Sequence, residues 1–317
     1  MSVPALARDH RAEQARLSAQ TGRAARELWQ RLDTTDVRGS WSGLLPELLR
    51  LVATAQMAAA ALSNGYLDEL LGEDAPPVAQ PVPEQLGGIA SDGRDLATLL
   101  TQPLITVLSR ISRGEPVGRA MAAGLLQLET ITRTQVADAG RAGDQVAMAS
   151  RPACVAYTRV VELPACSRCI VLAGREYAWS TGFKRHPQCD CAMVPMRPGE
   201  RTAGDDPREV FADMTRAEQN KRFGSGAAEA IREGADIGQV VNARRGMQSA
   251  TNRTRGRYTT EGTTARGIAG RRLGDLTRDG GRYRRSTRPR LMPEAIMRQA
   301  RDRDHAIELL REHGYLA

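Results

Sequence analysis

The chain has 317 residues, and its 45 Lys and Arg residues against 37 Asp and Glu residues give a formal net charge of +8. Its hydrophobic content of 41% argues against a disordered chain, while an aromatic content of only 4% argues against a large β-sandwich and favours packed helices. No stretch approaches the roughly 18 consecutive apolar residues of a membrane span, and charges interrupt the first turns of the chain. We therefore expect no membrane contact and no export.

The positive charge is concentrated near the C-terminus. Residues 244–290 contain 14 arginines and three acidic residues, a net charge of +11, while the remaining chain has 31 basic and 34 acidic residues, a net charge of −3. The excess positive charge therefore belongs to this one segment and needs an explanation there, because the rest of the chain is mildly acidic.

Helical periodicity dominates the first 150 residues. Apolar spacing predicts a helical hairpin over 1–71, with a first helix from Ser2 and Pro4 and a second from about Gly43 to Leu71. The four prolines and four glycines of 72–94 predict a linker, and two further helices predict a helical region over 95–150. We interpret His10 as a solvated residue on a helix face.

The pattern changes after residue 150. Short β-branched or aromatic runs at 155–163, 176–180 and 192–196 predict a small β-rich domain over 151–200, and helices return over 201–243. Residues 244–290 have too few apolar side chains to build a core and are predicted to be an irregular arm, followed by two short helices over 291–317. The predicted fold class is mostly α, with a small β-rich zinc-knuckle domain in the middle and an irregular Arg/Gly-rich arm near the C-terminus.

All five cysteines lie between residues 154 and 191. Cys166 and Cys169 form a Cys-x-x-Cys pair, a spacing at which a tight turn directs two thiolates at one ion, and a second group follows after a strand. Structural zinc takes four nitrogen or sulfur ligands, so we predict a structural Zn²⁺ site made by four of five residues: Cys166, Cys169, His186, Cys189 and Cys191.

Other roles for this cluster are weaker. A disulfide is not expected in a reducing cytoplasm, and a thioredoxin-like redox pair should lie in a βαβ context that the sequence lacks. Catalytic zinc needs an open position and a nearby acid or base, and the glutamate that deaminases place two residues after a ligand histidine is missing after His186. We interpret Cys154 as a buried small hydrophobic residue.

The stretches CSRC, LAGREY and RHPQCDC in the middle of the chain resemble the MuF-like minor head proteins of tailed phages. The later stretches GADIGQVVNARRGMQ, TTEGTTARGIAGRRLG and RLMPEAIMRQARDRDHAIELLREHGYL are similar to the actinobacteriophage branch. The resemblance is strongest from about residue 150 to the end and weaker over the N-terminal helices.

This resemblance implies a non-enzymatic minor capsid protein that associates with the portal inside the capsid, with the portal protein and the major capsid or scaffold protein as partners. Its expected location is the virion, in the capsid interior at the portal vertex, after assembly in the host cytoplasm. Some relatives carry a maturation-protease label, so cleavage of scaffold or major capsid protein is the enzymatic alternative. The sequence offers no convincing pairing of a serine with a histidine or lysine base for it.

The arginine-rich segment predicts non-specific contact with packaged double-stranded DNA, since arginines can displace counterions along a phosphate backbone and no base-reading helix is evident. A solvated loop or an arm on an acidic protein surface is the alternative. The candidate DNA-binding residues are Arg244, Arg245, Arg253, Arg255, Arg257, Arg271, Arg272, Arg282, Arg284 and Arg285.

Overall fold

The computed structural model describes residues 3–161, 163–182, 191–200, 205–244, 247–249, 257–261, 276–278 and 284–316. The chain divides into two compact units, one made of residues 1–164 and 174–204 and the other of residues 165–173 and 205–317. The seven segments expected from the sequence stay a prediction.

The first unit is built on three long helices. Its helices are α1 (Val3–Gln30), α2 (Val37–Leu71), α3 (Leu96–Leu100), α4 (Gln102–Ser112) and α5 (Val117–Ala149). The core of this bundle is aliphatic, with Trp29 and Trp41 in an edge-to-face contact at 5.8 Å between ring centroids. The mostly helical fold class is therefore confirmed, and the low aromatic content agrees with a core of small and aliphatic side chains.

Helix α2 begins earlier than its apolar pattern suggests. Asp36 caps it by accepting a hydrogen bond from the backbone N–H of Gly39 at 2.9 Å, so the helix includes Val37 and continues through Pro46. Among the described helices, α2 is long and apolar enough to cross a membrane by length and composition. One of its faces, from Trp41 to Leu71, is buried within the first unit, as expected of a bundle helix.

The proline-rich segment 72–94 follows the surface of the bundle. It contains one 3-10 turn (Pro83–Leu86), and the side chain of Gln56 on α2 holds it by accepting from Gly88 N and donating to Ile89 O, both at 2.9 Å. The backbone N–H of Val78 donates to Ser150 O at 2.8 Å. These contacts join the segment to α2, which precedes it, and to Ser150 at the end of α5.

A three-stranded antiparallel sheet completes the first unit. Its strands are β1 (Ala156–Val161), β2 (Glu176–Ala178) and β3 (Cys191–Met196), in the order β2-β1-β3. Tyr157 opposes Tyr177 on one side and Pro195 on the other. The strands predicted at 155–163, 176–180 and 192–196 are thus confirmed within one or two residues.

The second unit contains short helices. They are α6 (Ser167–Ile170), α7 (Pro207–Ala212), α8 (Arg216–Phe223), α9 (Ser225–Arg232), α10 (Ile237–Ala243), α11 (Pro293–Gln299) and α12 (Arg303–Glu312). Within the helices predicted over 201–243, α8 begins anew after α7 because Thr215 forms a capping box with Glu218. The chain also breaks between α9 and α10 at Gly234, whose φ of 95° suits glycine.

The arginine-rich segment contributes an antiparallel sheet to this unit. Its strands are β4 (Met247–Ser249), β5 (Arg257–Glu261), β6 (Leu276–Arg278) and β7 (Arg284–Leu291), in the order β4-β5-β7-β6. The prediction of an irregular arm is therefore wrong for these residues. The segment needs no core of its own, because Thr259 and Arg290 are buried within the unit alongside residues such as Ala243 and Ile296.

Candidate functional site

Cys166 and Cys169 are brought together at the start of α6. Cys166 has an extended backbone immediately before the helix, and its carbonyl accepts hydrogen bonds from the N–H groups of Cys169 and Ile170 at 3.0 and 3.1 Å. This tight turn places the two sulfur atoms 3.6 Å apart. Two thiolates bound to one tetrahedral zinc at about 2.3 Å each are about 3.8 Å apart, so the pair has the spacing of two zinc ligands.

Of the other predicted ligands, the structure describes Cys191 alone. Cys191 begins β3 in the first unit, where it is 1% exposed and accepts a hydrogen bond from Arg159 Nη2 at 3.1 Å. His186 and Cys189 lie outside the described residues. Within the described part of the chain, no group of three His, Cys, Asp or Glu side chains could hold a metal ion. The structure thus brings Cys166 and Cys169 together, and the zinc site stays a prediction.

Cys154 is buried in the first unit, as predicted. It is 4% exposed, and its thiol donates to Ala156 O at 3.4 Å. Burial raises the pKa of this thiol above its usual value, which keeps it protonated and disfavours it as a metal ligand.

A buried polar network in the first unit was missed by the sequence reasoning. His10 is only 9% exposed, so its interpretation as a solvated residue is wrong. Its Nε2 lies 2.8 Å from Asp144 Oδ1 on α5, and its ring stacks on Tyr66 at 4.0 Å between centroids. Ser63 on α2 also donates to Asp144 Oδ1 at 2.8 Å, and Gln14 Nε2 donates to Asp144 Oδ2 at 3.2 Å. One carboxylate thus joins three helices.

Two glycines of α5 make this close approach possible. A Cβ at Gly140 would lie 2.9 Å from the side-chain amide of Gln14, and one at Gly143 would lie 2.7 Å from Ser63 Oγ. The sequence signal that could have revealed the network is the His10/Gln14 spacing of four residues on α1, together with Gly140 and Gly143 just before Asp144 on α5. Burial raises the pKa of Tyr66, and the Asp144 carboxylate raises it further.

The arrangement of this network is not that of a hydrolase. Ser63 donates its hydroxyl proton to Asp144, whereas a serine nucleophile must donate to the histidine base. The hydroxyl of Ser63 is also fully buried, so no substrate can reach it in this conformation. The network therefore joins three helices, and it does not pair a serine nucleophile with a histidine base.

The candidate DNA-binding arginines have different surroundings. Arg244 donates to Glu294 Oε1 at 3.0 Å and to the carbonyl oxygen of Phe223, whereas Arg257 is exposed on β5. Arg284 and Arg285 lie in β7, where the backbone alone is described. Six candidates lie outside the described residues: Arg245, Arg253, Arg255, Arg271, Arg272 and Arg282.

Arg290, in the same segment, has a structural role. Its side chain is buried, its Nη1 donates to His313 O at 3.1 Å, and its guanidinium lies 4.9 Å from the ring centroid of Tyr315. Tyr315 in turn donates to Leu291 O at 2.9 Å. Arg290 therefore connects the end of β7 to the residues that follow α12, so this arginine of the segment stabilises the fold.

In a comparison with protein families, residues 1–217 match the VG15 protein family. No curated protein and no solved structure matches the chain. The matched range covers the first unit and extends through α7 to the start of α8, so it includes the N-terminal helices where the motif resemblance was weaker. Because the match spans more than half of the chain, this protein belongs to the VG15 family, a family of phage proteins.

Proposed function

We propose that the chain is a minor head protein of a tailed phage, associated with the portal inside the capsid and acting in head morphogenesis and DNA packaging or ejection. The observation that carries this proposal is the VG15 family match over residues 1–217, and the MuF-like stretches around Cys166 and Cys189 support the finer assignment. The proposed role is structural, and the buried Ser63–Asp144–His10 arrangement gives no support to a protease.

Mass spectrometry of purified procapsids and mature virions tests the location. The protein should be present in both at a small fraction of the major capsid protein. Co-expression with the portal protein alone should give a complex that copurifies. A protein missing from procapsids, or a portal that purifies without it, would contradict the proposal.

For the cysteine cluster we propose one structural Zn²⁺, held by Cys166, Cys169 and two of His186, Cys189 and Cys191. The 3.6 Å separation of the first two sulfurs supports it, because the turn already holds them at ligand spacing. Bound zinc would supply a cross-link between ligands that are up to 25 residues apart in the sequence, which is a folding role. Elemental analysis should find about one zinc per chain.

For the arginine-rich segment we propose non-specific contact with double-stranded DNA. The net charge of +11 over residues 244–290 supports this contact, as does the exposed Arg257 on β5. Affinity for duplex DNA should fall linearly on a logarithmic scale with salt concentration, and it should be similar for unrelated sequences. Binding that is insensitive to salt would contradict the proposal.

A further inference from the structure

One tryptophan of the first unit is exposed. Trp29 and Trp41 are 5% and 4% exposed in the helical core, whereas Trp179, just after β2, is 43% exposed. Large exposed aromatic side chains are uncommon in a chain with so few aromatic residues, and they often mark a binding surface. The surroundings of Trp179 therefore indicate what it could bind.

Arg175, Tyr177 and Trp179 alternate along β2 and the residues flanking it. Because successive side chains of a strand point to opposite faces, these three share one face of the sheet, and we call them the β2 ridge. The exposed Glu176 and Ala178 belong to the opposite face. The ridge thus carries a guanidinium, a phenol ring and an indole in one row.

The ridge is held in place by β1. Tyr177 stacks on its cross-strand partner Tyr157 at 5.3 Å between ring centroids, with the rings 13° from parallel. The guanidinium carbon of Arg175 lies 5.5 Å from the centroid of the Tyr177 ring. The backbone N–H of Trp179 donates to Val155 O at 3.4 Å, which extends the pairing of the two strands. The Tyr177 ring, the Arg175 guanidinium and the backbone of Trp179 are therefore held in place before any ligand binds, which lowers the entropic cost of binding.

The exposed groups at the two ends of the ridge select the class of ligand. Arg175 is exposed at one end and Trp179 at the other. An exposed indole favours a planar aromatic ligand, and a nearby guanidinium favours a phosphate. Unpaired nucleotides combine both properties, whereas the bases of a duplex are stacked on one another and cannot reach an indole.

We propose that the β2 ridge binds single-stranded nucleic acid, with a base stacked on Trp179 and a phosphate paired with Arg175. The ridge belongs to the first unit, and its binding does not depend on the duplex contact proposed for the arginine-rich segment. The expected preference is for single strands over duplexes, with little discrimination among bases, because every base has a face that can stack.

The test uses the full-length protein and an oligothymidine of about 15 nucleotides, a length suited to one sheet-based site. Binding should quench the tryptophan fluorescence, since Trp179 is the accessible tryptophan among the described ones. Trp179→Ala should weaken oligothymidine binding by about 5- to 100-fold, and Trp179→Phe should weaken it less. Duplex binding should be unchanged by either substitution.

Leu126→Ala is the matched control, because Leu126 is an exposed apolar residue on α5 with 66% exposure and no place in the ridge. It should leave oligothymidine binding unchanged, and circular dichroism should show that both variants are folded. Equal losses of single-strand and duplex binding in Trp179→Ala, or oligothymidine binding without fluorescence change, would overturn the proposal. So would a ridge that binds the purified portal protein and leaves oligothymidine unbound.

Discussion

Gly143 lies where α5 packs closely against α2, and a substitution there tests how much this packing stabilises the first unit. A Cβ added at Gly143 would lie 2.7 Å from Ser63 Oγ and 2.8 Å from both the Cα and the carbonyl oxygen of Ala60. Two of these three atoms belong to the backbone of α2, so a rotamer change cannot relieve the clash. Gly143→Ala must therefore separate the two helices or displace Ser63 from Asp144.

The change in the free energy of unfolding caused by Gly143→Ala is the sum of opposing effects. Alanine in a helix interior is favoured over glycine by about 1 kcal/mol, which would stabilise the variant. Overpacking typically costs about 1–3 kcal/mol, and losing the buried hydrogen bond of Ser63 to Asp144 costs about 1 kcal/mol more. We expect the packing costs to exceed the propensity gain, with a net destabilisation of about 1–3 kcal/mol.

Gly65 supplies the matched control, because it lies in the interior of α2, is exposed, and has no atom within 4 Å of a built Cβ. Gly65→Ala should stabilise the protein by about 0.5–1 kcal/mol. Urea unfolding followed by tryptophan fluorescence measures both variants in the relevant unit, since Trp29, Trp41 and Trp179 all belong to it. A Gly143→Ala protein at least as stable as Gly65→Ala would refute the reasoning about close helix packing.

Three further predictions concern metal, pH and charge. Cys166→Ser should lower the zinc content from about one per chain to near zero, while Cys154→Ala should keep it; equal content in both would contradict the ligand assignment. Burial lowers the pKa of His313 from its usual 6.5, so the unfolded chain binds the proton more readily. The stability that depends on neutral His313 is therefore complete above pH 6.5 and is lost as the pH falls towards the lowered pKa of the folded state. Amide-exchange protection over 291–316 should decrease over the same pH range, and His313→Asn should remove this pH dependence. Arg257→Ala should weaken duplex binding with little change in stability, whereas Arg290→Ala should destabilise the second unit by about 2–4 kcal/mol, seen as earlier thermal loss of helical circular dichroism.

The helices and the first sheet could be predicted because local patterns determine them. The apolar residues of α2 and α5 repeat with the helical period, and β1 is rich in β-branched residues, so each pattern indicates its own secondary structure. The start of α2 was misplaced because Asp36 caps the helix ahead of its first apolar contacts, a local hydrogen bond that hydrophobic periodicity does not record.

The buried network could not be read from single residues. His10 and Asp144 are 134 positions apart, and only the fold shows that they meet. A histidine at a helical position is consistent with either an exposed or a buried face, so the sequence alone could not place His10 in the core. Gly140 and Gly143 are the sequence signal for this contact, because they mark positions where another helix approaches closely.

The arginine-rich segment shows how far formal charge can mislead. Composition predicted an irregular arm, yet β5 and β7 form a ladder in which Thr259 opposes Arg290, and both side chains are buried. A strand needs partners for its backbone and one face against a core, and it does not need to supply that core itself. Local composition is therefore a poor guide where a segment folds onto the rest of its unit.

The same structure limits the charge available to a nucleic acid. Arg244 is engaged by Glu294 and the Phe223 carbonyl, and Arg290 is buried against Tyr315 and the His313 carbonyl. Of the 14 arginines in 244–290, these two are committed to the protein, which leaves at most 12 for phosphate contacts. Each contact lowers the logarithm of the affinity by about 0.9 per tenfold rise in salt. A measured slope that required all the arginines would mean that the second unit opens when it binds DNA, because Arg290 can reach a phosphate only if its contacts with the C-terminal residues break.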